Sequence, residues 1–412
     1  MKILFKDPVF DGQLLRALNH VYYGGADVGE CISTAARIRE GDATSWYDQW
    51  SATAQRIFSS AEKSFQQGHL QSAREAWLRA SNYFRTSYIF LMSAPLDPRV
   101  TRAFDLQTDA FLRAAALFSP PIEQIEIPYE GGILPGYFLR ANADGRPSRT
   151  IILTGGYDST AEELYFFNAA AAIRRGYNCI CFDGPGQGAA LIRQGLHFRP
   201  DWENIVRPVM DYLVARTDVD PARIALMGLS FGGYLAPRAA SGEPRLAALI
   251  ADPGQFSLFE AARSRVPGFL RAGLTGQSAF AAAILRRILD SMLRHPTRGW
   301  ALRRGLLVHN VSTPLDYFNV TRDYSLEGLA GKILCPSLIC AAENDDIAAY
   351  AKVLFDALTC EKQFLTFTNA EGAGEHCEDG NRSLFHQRAF DWLDEVLDRP
   401  RAGVISGTQK TR

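Results

Sequence analysis

The strongest constraint on the fold is an alternation of short apolar runs with helical segments in the C-terminal two thirds of the chain. The predicted strands are Thr150–Thr154, Asn178–Phe182, Ile224–Met227, Ala247–Ile250, Ser337–Ala341 and Gln363–Phe367. The predicted helices are Ala161–Arg174, Trp202–Ala215, Gly232–Ala240, Ile347–Leu358 and Arg382–Leu397. Strands that alternate with helices need crossover connections, so the pattern predicts an α/β fold with a mostly parallel sheet and helices on both faces.

Two stretches depart from the alternation. Residues 1–120 carry few strand signals, and from Trp46 to Phe65 apolar side chains recur at three- and four-residue spacing. Residues 254–333 separate two predicted strands and contain helical signals but no clear strand. Because ligands of parallel sheets bind at the carboxyl ends of the strands, an insertion after a strand is placed to cover that edge. We therefore predict an all-helical N-terminal cap domain over 1–120 and a helical lid over 254–333.

The main α/β domain is predicted to span residues 121–400. The helical region before it ends at Pro120-Pro121, since consecutive prolines cannot continue a helix, and the domain opens with a hairpin around Glu130-Gly131-Gly132. Residues 401–412 are polar and are predicted to form a flexible tail.

Composition argues against several partners. The 412 residues carry a formal net charge of -1 without long charge runs, which disfavours a nucleic-acid groove or an anionic membrane surface as the main partner. The N-terminus becomes polar too early for a secretory signal, and no apolar stretch is long enough to span a bilayer. Seven scattered cysteines fit a reducing compartment better than a disulfide framework. We expect a cytoplasmic protein with a small-molecule partner.

No metal or cofactor site is indicated. The cysteines and histidines lack zinc-type spacing. The segment Asp183-Gly184-Pro185-Gly186-Gln187-Gly188 superficially resembles a phosphate-binding glycine loop, but it lacks the Walker lysine and the Rossmann spacing with its downstream acid. We interpret it as a turn at the edge of the sheet.

The most specific motif is Gly228-Leu229-Ser230-Phe231-Gly232, which follows an apolar run and opens a predicted helix. In this context the motif resembles the nucleophile turn of α/β-hydrolases. Its glycines are needed because side chains there would collide in a sharp turn. The motif predicts that Ser230 is a catalytic nucleophile and that the amide of Phe231 points at the oxygen of a bound carbonyl. The alternative is a glycine-rich turn with an incidental serine.

A serine hydroxyl needs an oriented base, and in the α/β-hydrolase fold the order along the chain is serine, acid, histidine. Only His376 lies in a loop between the last predicted strand and the last predicted helix. The other histidines lie in helical regions or ahead of the serine: His20, His69, His197, His295, His309 and His386. His376 is therefore the predicted base.

The acid is expected directly after the strand Ser337–Ala341. Two neighbours, Asp345 and Asp346, are candidates. Members of the family commonly read Gly-x-x-Asp after this strand, and Ala342 stands at the glycine position, which favours Asp345. Asp346 is then expected to cap the helix that starts near Ile347.

A second oxyanion donor is expected in the loop Thr154-Gly155-Gly156-Tyr157-Asp158-Ser159. Glycines let a backbone approach a ligand closely, so the amide of Gly156 or Tyr157 is the expected partner of the Phe231 amide. Tyr157 and Asp158 would then face the substrate. The alternative is an ordinary turn with Ser159 or Thr160 as its capping residue.

Further motifs narrow the resemblance, including Tyr23–Glu30, Gly155–Thr160, Glu162–Tyr165, Asp183–Gly188 and Glu375-His376-Cys377. With them the chain resembles, over nearly its whole length, the 2,6-dihydroxypseudooxynicotine hydrolase-like branch of α/β-hydrolases and hydrolases of natural-product clusters, such as fusarin- and cytochalasan-type enzymes. The resemblance implies a helical domain closing over the site, a possible homodimer, and substrates that are β-dicarbonyl or aryl ketones cleaved at a carbon–carbon bond. Asp252 and Glu260 lie where an extra acid would contact a leaving group.

Within this resemblance several functions stay open. A serine hydrolase acting on a small apolar metabolite, at a C–C bond or an ester, is the leading hypothesis. The alternatives are a cyclase or condensation-promoting enzyme of a polyketide–peptide pathway, an acylaminoacyl-type peptidase, and a catalytically silent scaffold. A peptidase of that type usually carries a β-propeller, which about a hundred helical residues cannot form. A silent scaffold is expected to have lost at least one of Ser230, Asp345 and His376.

Overall fold

The computed structural model describes residues 1–399, so the tail expected over 401–412 lies outside the described residues. The N-terminal region is helical, as expected. Its helices are α1 (Pro8–Asn19), α2 (Val28–Ala35), α3 (Ala43–Gln66), α4 (Leu70–Tyr88) and α5 (Pro98–Ala115). The carboxylate of Asp42 accepts the first amides of α3, and Gly68, at φ 80°, separates α3 from α4.

The large aromatic residues of this region form its core. Trp46 and Trp50 are fully buried along α3, where the predicted periodicity places them, and Trp77 is fully buried along α4. The Nε1–H of Trp46 donates to the carbonyl of Thr86 at 2.8 Å, which satisfies the indole inside the core. Their bulk therefore stabilises the packing of α3 on α4 and does not line a pocket.

The sheet has eight strands and is mostly parallel, as predicted. Its strands are β1 (Glu123–Tyr129), β2 (Gly132–Leu139), β3 (Ser148–Thr154), β4 (Asn178–Phe182), β5 (Val219–Leu229), β6 (Ala248–Asp252), β7 (Ser337–Ala342) and β8 (Lys362–Phe367). The spatial order is β1-β2-β4-β3-β5-β6-β7-β8, in which β2 is antiparallel to both its neighbours, β1 and β4, and all other neighbouring pairs are parallel. The direction of the crossovers reverses between β3 and β5, and such a reversal opens a crevice at the carboxyl ends of these two strands.

Helices cover both faces of the sheet, which confirms the α/β class. They are α6 (Ala161–Leu164), α7 (Ala170–Ile173), α8 (Gly188–Ile192), α9 (Glu203–Val214), α10 (Gly232–Ala240), α16 (Ala351–Ala357) and α17 (Arg382–Leu397), with a π-helical turn over Tyr165–Ala169 between α6 and α7. Alternate strand residues enter two different cores. Met227 packs with α17 and the N-terminal helices, whereas its neighbour Leu226 packs with α9 and α10.

The long connection between β6 and β7 is helical, as expected. It contains α11 (Leu258–Ser264), α12 (Arg271–Leu274), α13 (Ala279–Arg294), α14 (Trp300–Val308) and α15 (Pro314–Val320). Part of it has a small core of its own, formed by Val266, Leu270, Leu274, Ala281, Leu285, Leu289 and Phe318. No helix within residues 1–399 combines the length and the apolarity that a membrane crossing needs.

Candidate active site

Ser230 lies on a sharp turn between β5 and α10. Its φ of 60° is in the left-handed region, where residues other than glycine have a strained backbone. A Cβ on Gly228 would overlap the carbonyl of Gly232, and a Cβ on Gly232 would overlap the carbonyl of Thr154. The turn is tied down at both ends, since Ser230 donates its amide to the carbonyl of Asp252 at 2.7 Å and Gln255 donates to the Ser230 carbonyl at 2.7 Å. The steric reason expected for these two glycines is thus confirmed.

The loops after β7 and β8 bring two further residues to Ser230. His376 Nε2 lies 2.9 Å from Ser230 Oγ, and His376 Nδ1 lies 2.7 Å from Asp345 Oδ2. These distances fit a chain in which Ser230 donates to the imidazole and the imidazole donates to the carboxylate. Asp346 is exposed. The helical turn here is capped by Asp345, which accepts the Ile347 amide at 2.9 Å, so the expectation that Asp346 caps it is wrong.

The carboxylate changes the basicity of the imidazole. Burial on its own would lower the pKa of His376, but the charge and hydrogen bond of Asp345 outweigh it and raise that pKa to about 9. Burial would raise the pKa of Asp345, yet the contact with His376 keeps this pKa below its ordinary value. The pair therefore stabilises the imidazolium that forms when His376 accepts a proton.

The loop after β3 passes directly beside Ser230. A Cβ on Gly156 would lie 2.8 Å from the Cβ of Ser230 and 2.9 Å from its Oγ, so only glycine fits. The amide of Gly156 donates to Ser159 Oγ at 2.9 Å, which removes it from the two expected oxyanion donors. Within residues 1–399, the amides of Tyr157 and Phe231 donate to no protein acceptor. These two amides therefore keep a hydrogen that a ligand could accept.

The side chain of Tyr157 is held by the insertion. Its hydroxyl lies 2.7 Å from His309 Nε2 and 3.2 Å from the hydroxyl of Tyr317. Burial, with a smaller effect of His197, lowers the pKa of His309 to about 3, so this imidazole is neutral. The ring of Tyr157 packs on that of Phe231 at a centroid distance of 4.6 Å. Sequence reasoning gave His309 no role, because nothing near it in sequence points to Tyr157.

Asp158 does not face a substrate as expected, because three arginines hold its carboxylate. Arg16 and Arg304 lie 2.9 and 2.7 Å from Oδ2, and Arg85 lies 3.7 Å away. Arg85 also donates to the Asp158 carbonyl at 3.1 Å. Burial would raise the pKa of Asp158, but the three guanidinium groups hold it well below its ordinary value.

The two other expected acids, Asp252 and Glu260, lie in different surroundings. Asp252 is fully buried, and its carboxylate pairs with Arg382 at 2.8 Å. It supports the nucleophile turn through its backbone carbonyl instead. Glu260 lies on α11 and pairs with Arg263 at 2.6 Å, and no hydrogen bond or ion pair in the described part of the chain joins it to Ser230 or His376. The expectation for Asp252 is therefore wrong, and the expectation for Glu260 stays a prediction.

Comparisons with known proteins agree with this architecture. A model described as "Alpha/beta hydrolase family" matches residues 151–392, and one described as "Esterase FrsA-like" matches residues 29–256. The chain is 36% identical to hydrolase LUC6 of a Fusarium species and 37% identical to the 20-hydroxy-prefusarin hydrolase FUS2 of Gibberella moniliformis, in both cases over 96% of this chain and 98% of the relative.

Solved structures add a likeness in fold. The 2,6-dihydroxy-pseudo-oxynicotine hydrolase superposes with a TM-score of 0.71 and 23% identity, over 92% of this chain and 96% of that one. The resemblance inferred from the motifs is thus confirmed, including the helical N-terminal region, which lies within the matched length. With relatives more than 30% identical over nearly its whole length, the chain belongs to the alpha/beta hydrolase family of enzymes.

Proposed function

We propose that the protein is a serine hydrolase with Ser230 as nucleophile, His376 as general base and acid, and Asp345 as the residue that orients the imidazole. The observation that carries the proposal is the pair of distances at His376, 2.9 Å to the serine oxygen and 2.7 Å to the carboxylate. Both lie in the range needed for proton transfer between positioned groups.

In the first half of the reaction, His376 Nε2 takes the proton of Ser230 as Oγ attacks the carbonyl carbon of the substrate. The amides of Phe231 and Tyr157 donate to the oxyanion that forms. The tetrahedral intermediate then breaks its bond to the leaving group, which receives the proton from His376. This leaves an acyl group on Ser230.

In the second half, His376 takes a proton from water, and the hydroxide attacks the acyl carbon. The proton on His376 returns to Ser230 Oγ when the acid product leaves. An ester substrate releases an alcohol in the first half. A β-dicarbonyl substrate releases a carbanion stabilised as its enolate, which becomes a ketone on protonation.

We propose a small, largely apolar metabolite as the substrate, cleaved at an ester or at a C–C bond beside a ketone. Two features support this class. The aromatic rings of Tyr157, Phe198 and Tyr324 pack on the ring of Phe231, the residue that follows Ser230, so the surroundings of this turn are apolar. The related enzymes are named for small organic metabolites, 20-hydroxy-prefusarin and 2,6-dihydroxy-pseudo-oxynicotine.

The first test is intact-protein mass spectrometry after exposure to a fluorophosphonate probe. We expect one label on the wild-type protein and none on Ser230→Ala, because the probe reacts only with an activated serine. Turnover of a short-chain p-nitrophenyl ester by the wild-type protein would favour an esterase over a C–C hydrolase. A label that persists on Ser230→Ala would show that another residue is the nucleophile.

A further inference from the structure

The outer face of the insertion carries exposed apolar side chains. Phe269 and Phe280 are 77% and 78% exposed, the largest values among the exposed large hydrophobic residues of the described chain. Phe280, Ile288 and Met292 are exposed and lie at four- and eight-residue spacing along α13, so they form one ridge. The neighbouring ridge, offset by one residue, consists of Ala281, Leu285 and Leu289 and packs into the core of the insertion, with Ile284 partly buried against it. The exposed ridge is therefore the part of an amphipathic helix that residues 1–399 do not cover.

Basic side chains lie next to this ridge. Arg286, Arg287, Arg294 and Arg298 are exposed. In the described part of the chain, the insertion arginines that form ion pairs are Arg263 and Arg304, so these four are left without a carboxylate. Residues 258–303 contain eight arginines against two carboxylates, an excess of six positive charges in a chain whose net charge is -1.

We propose that this surface, formed by Phe269, Phe280, Ile288 and Met292 with Arg287 and Arg294 beside them, docks the protein on a lipid surface with anionic headgroups. We call it the docking face. An amphipathic helix with aromatic and aliphatic residues on one side and arginines beside them inserts its apolar side chains at the boundary of headgroups and acyl chains. The arginines then lie among lipid phosphates and carboxylates.

Charge favours a lipid surface over a second copy of the chain as the occupant. A two-fold symmetric contact through the docking face would bring the same unpaired arginines together, and like charges across an interface are unfavourable. An anionic membrane instead complements them. The net charge of the whole chain is near zero and on its own disfavours a membrane partner. This total does not reveal the local excess of positive charge on the insertion.

The inference does not rest on the proposed function, because the docking face contains none of the residues at Ser230. The test is co-sedimentation of the full chain with vesicles of phosphatidylcholine alone and of phosphatidylcholine mixed with phosphatidylserine. We expect sedimentation with the mixed vesicles and release at high salt, which screens the arginines.

Two double variants separate the apolar from the charged contribution. Phe269→Ser with Phe280→Ser, and Arg287→Glu with Arg294→Glu, are each expected to lower the affinity for mixed vesicles by about tenfold or more. The matched controls lie outside the docking face. Leu334→Ser removes another exposed apolar side chain, and Arg56→Glu with Arg207→Glu reverses two other exposed charges. Both controls should bind as the wild type does, and thermal unfolding checks that every variant is folded.

Three outcomes would overturn the proposal. One is wild-type protein that stays in solution with mixed vesicles, and another is equal binding by the wild type and the double serine variant. The third is a wild-type dimer, measured by light scattering, that the double serine variant converts to monomer, because the docking face would then be a contact between copies.

Discussion

The two sides of Ser230 are held by different kinds of contact. On the side of the proposed proton transfer, His376 and Asp345 lie on loops that follow two neighbouring strands, β8 and β7; His376 contacts both the serine and Asp345. On the oxyanion side, the loop after β3 is held by side chains from α1, α4 and α14, which supply Arg16, Arg85 and Arg304. The order of the strands in the sheet is enough to bring Ser230, Asp345 and His376 to the same edge.

The second side needs the rest of the molecule. Tyr157 and Asp158, adjacent in sequence, are held by His309 and Arg304 of the insertion, and Asp158 is also held by the N-terminal helices. The proposed amide donor of Tyr157 is therefore expected to reach its geometry only when the insertion and the N-terminal region are packed on the sheet. The contacts around His376 are local to two neighbouring loops, whereas the loop after β3 depends on long-range ion pairs.

The largest expected effect is that of Ser230→Ala. Removing the nucleophile is expected to lower kcat by a factor on the order of 10⁶, the scale seen when a serine hydrolase loses its serine. The fold should stay intact, since the substitution removes none of the hydrogen bonds that the backbone of residue 230 makes. Steady-state turnover with a circular-dichroism melt measures both, and a kcat within tenfold of the wild type would refute the assignment of Ser230.

The next effect is that of Asp345→Asn, which acts on the proton side alone. The charge of Asp345 orients the imidazole of His376 and raises its pKa. Loss of this charge is expected to lower kcat by a factor of about 10⁴. It should also move the pKa seen in the rate profile downwards, because burial then acts without its opposing charge. The matched control is Asp346→Asn, an exposed neighbour whose change should be nearly silent. If the two variants exchange their effects, the acid is Asp346.

Asp158→Asn tests the oxyanion side. It leaves three buried arginines with Glu163 as their remaining close carboxylate, so the free energy of unfolding is expected to fall by about 3–5 kcal/mol. Because the loop after β3 would no longer be held by the three arginines, kcat should fall by a factor of about 10², the scale of losing one oxyanion donor. Unlike Asp345→Asn, this variant should leave the pKa of the rate profile unchanged. A shifted pKa would show that the two sides are not independent.

The pH dependence reports the proton side. His376 acts as a base only when neutral, and Asp345, with smaller effects of Asp379 and Asp252, raises its pKa to about 9. Between about pH 9 and about pH 7, kcat/KM is therefore expected to fall by roughly fiftyfold. Stability moves the other way, because the ion pair contributes most below the ordinary histidine pKa and its contribution is lost as the pH rises through about 9. Rate profiles and denaturant titrations across this range test both signs.

The contrast between the two sides also decides what the sequence could predict. Ser230, Asp345 and His376 each follow a strand, and parallel strands end at one edge of the sheet. Their order along the chain is therefore enough to predict that they lie close together. The choice of Asp345 over Asp346 rested on one position, Ala342. The position of the loop after β3 was equally predictable, as was the need for glycine at 156.

The contacts of that loop were not predictable. Asp158 is 142 residues from Arg16 and carries no local sign of an ion pair, so the sequence predicts only that an acid in this glycine-rich loop faces the substrate. Asp252 was misjudged for the same reason, since Arg382 lies 130 residues away. The Gly156 amide was lost to Ser159 by a turn whose hydrogen bond depends on one side-chain rotamer. Long-range charge pairing leaves no periodic signal in a single sequence.

The smallest expected effect is that of Tyr157→Phe, which sharpens the comparison within the oxyanion side. The variant keeps the amide donor and the ring packing on Phe231 but removes the hydroxyl that lies against His309 and Tyr317, so kcat should fall by less than about tenfold. The matched control is Tyr324→Phe, in the same aromatic group, whose buried hydroxyl has no hydrogen-bond partner within residues 1–399 and whose loss should leave kcat unchanged. Stopped-flow or steady-state turnover measures both. Equal losses would mean that the bond to His309 does not position the loop, and a loss as large as that of Asp158→Asn would mean that the hydroxyl itself donates to the reacting oxygen.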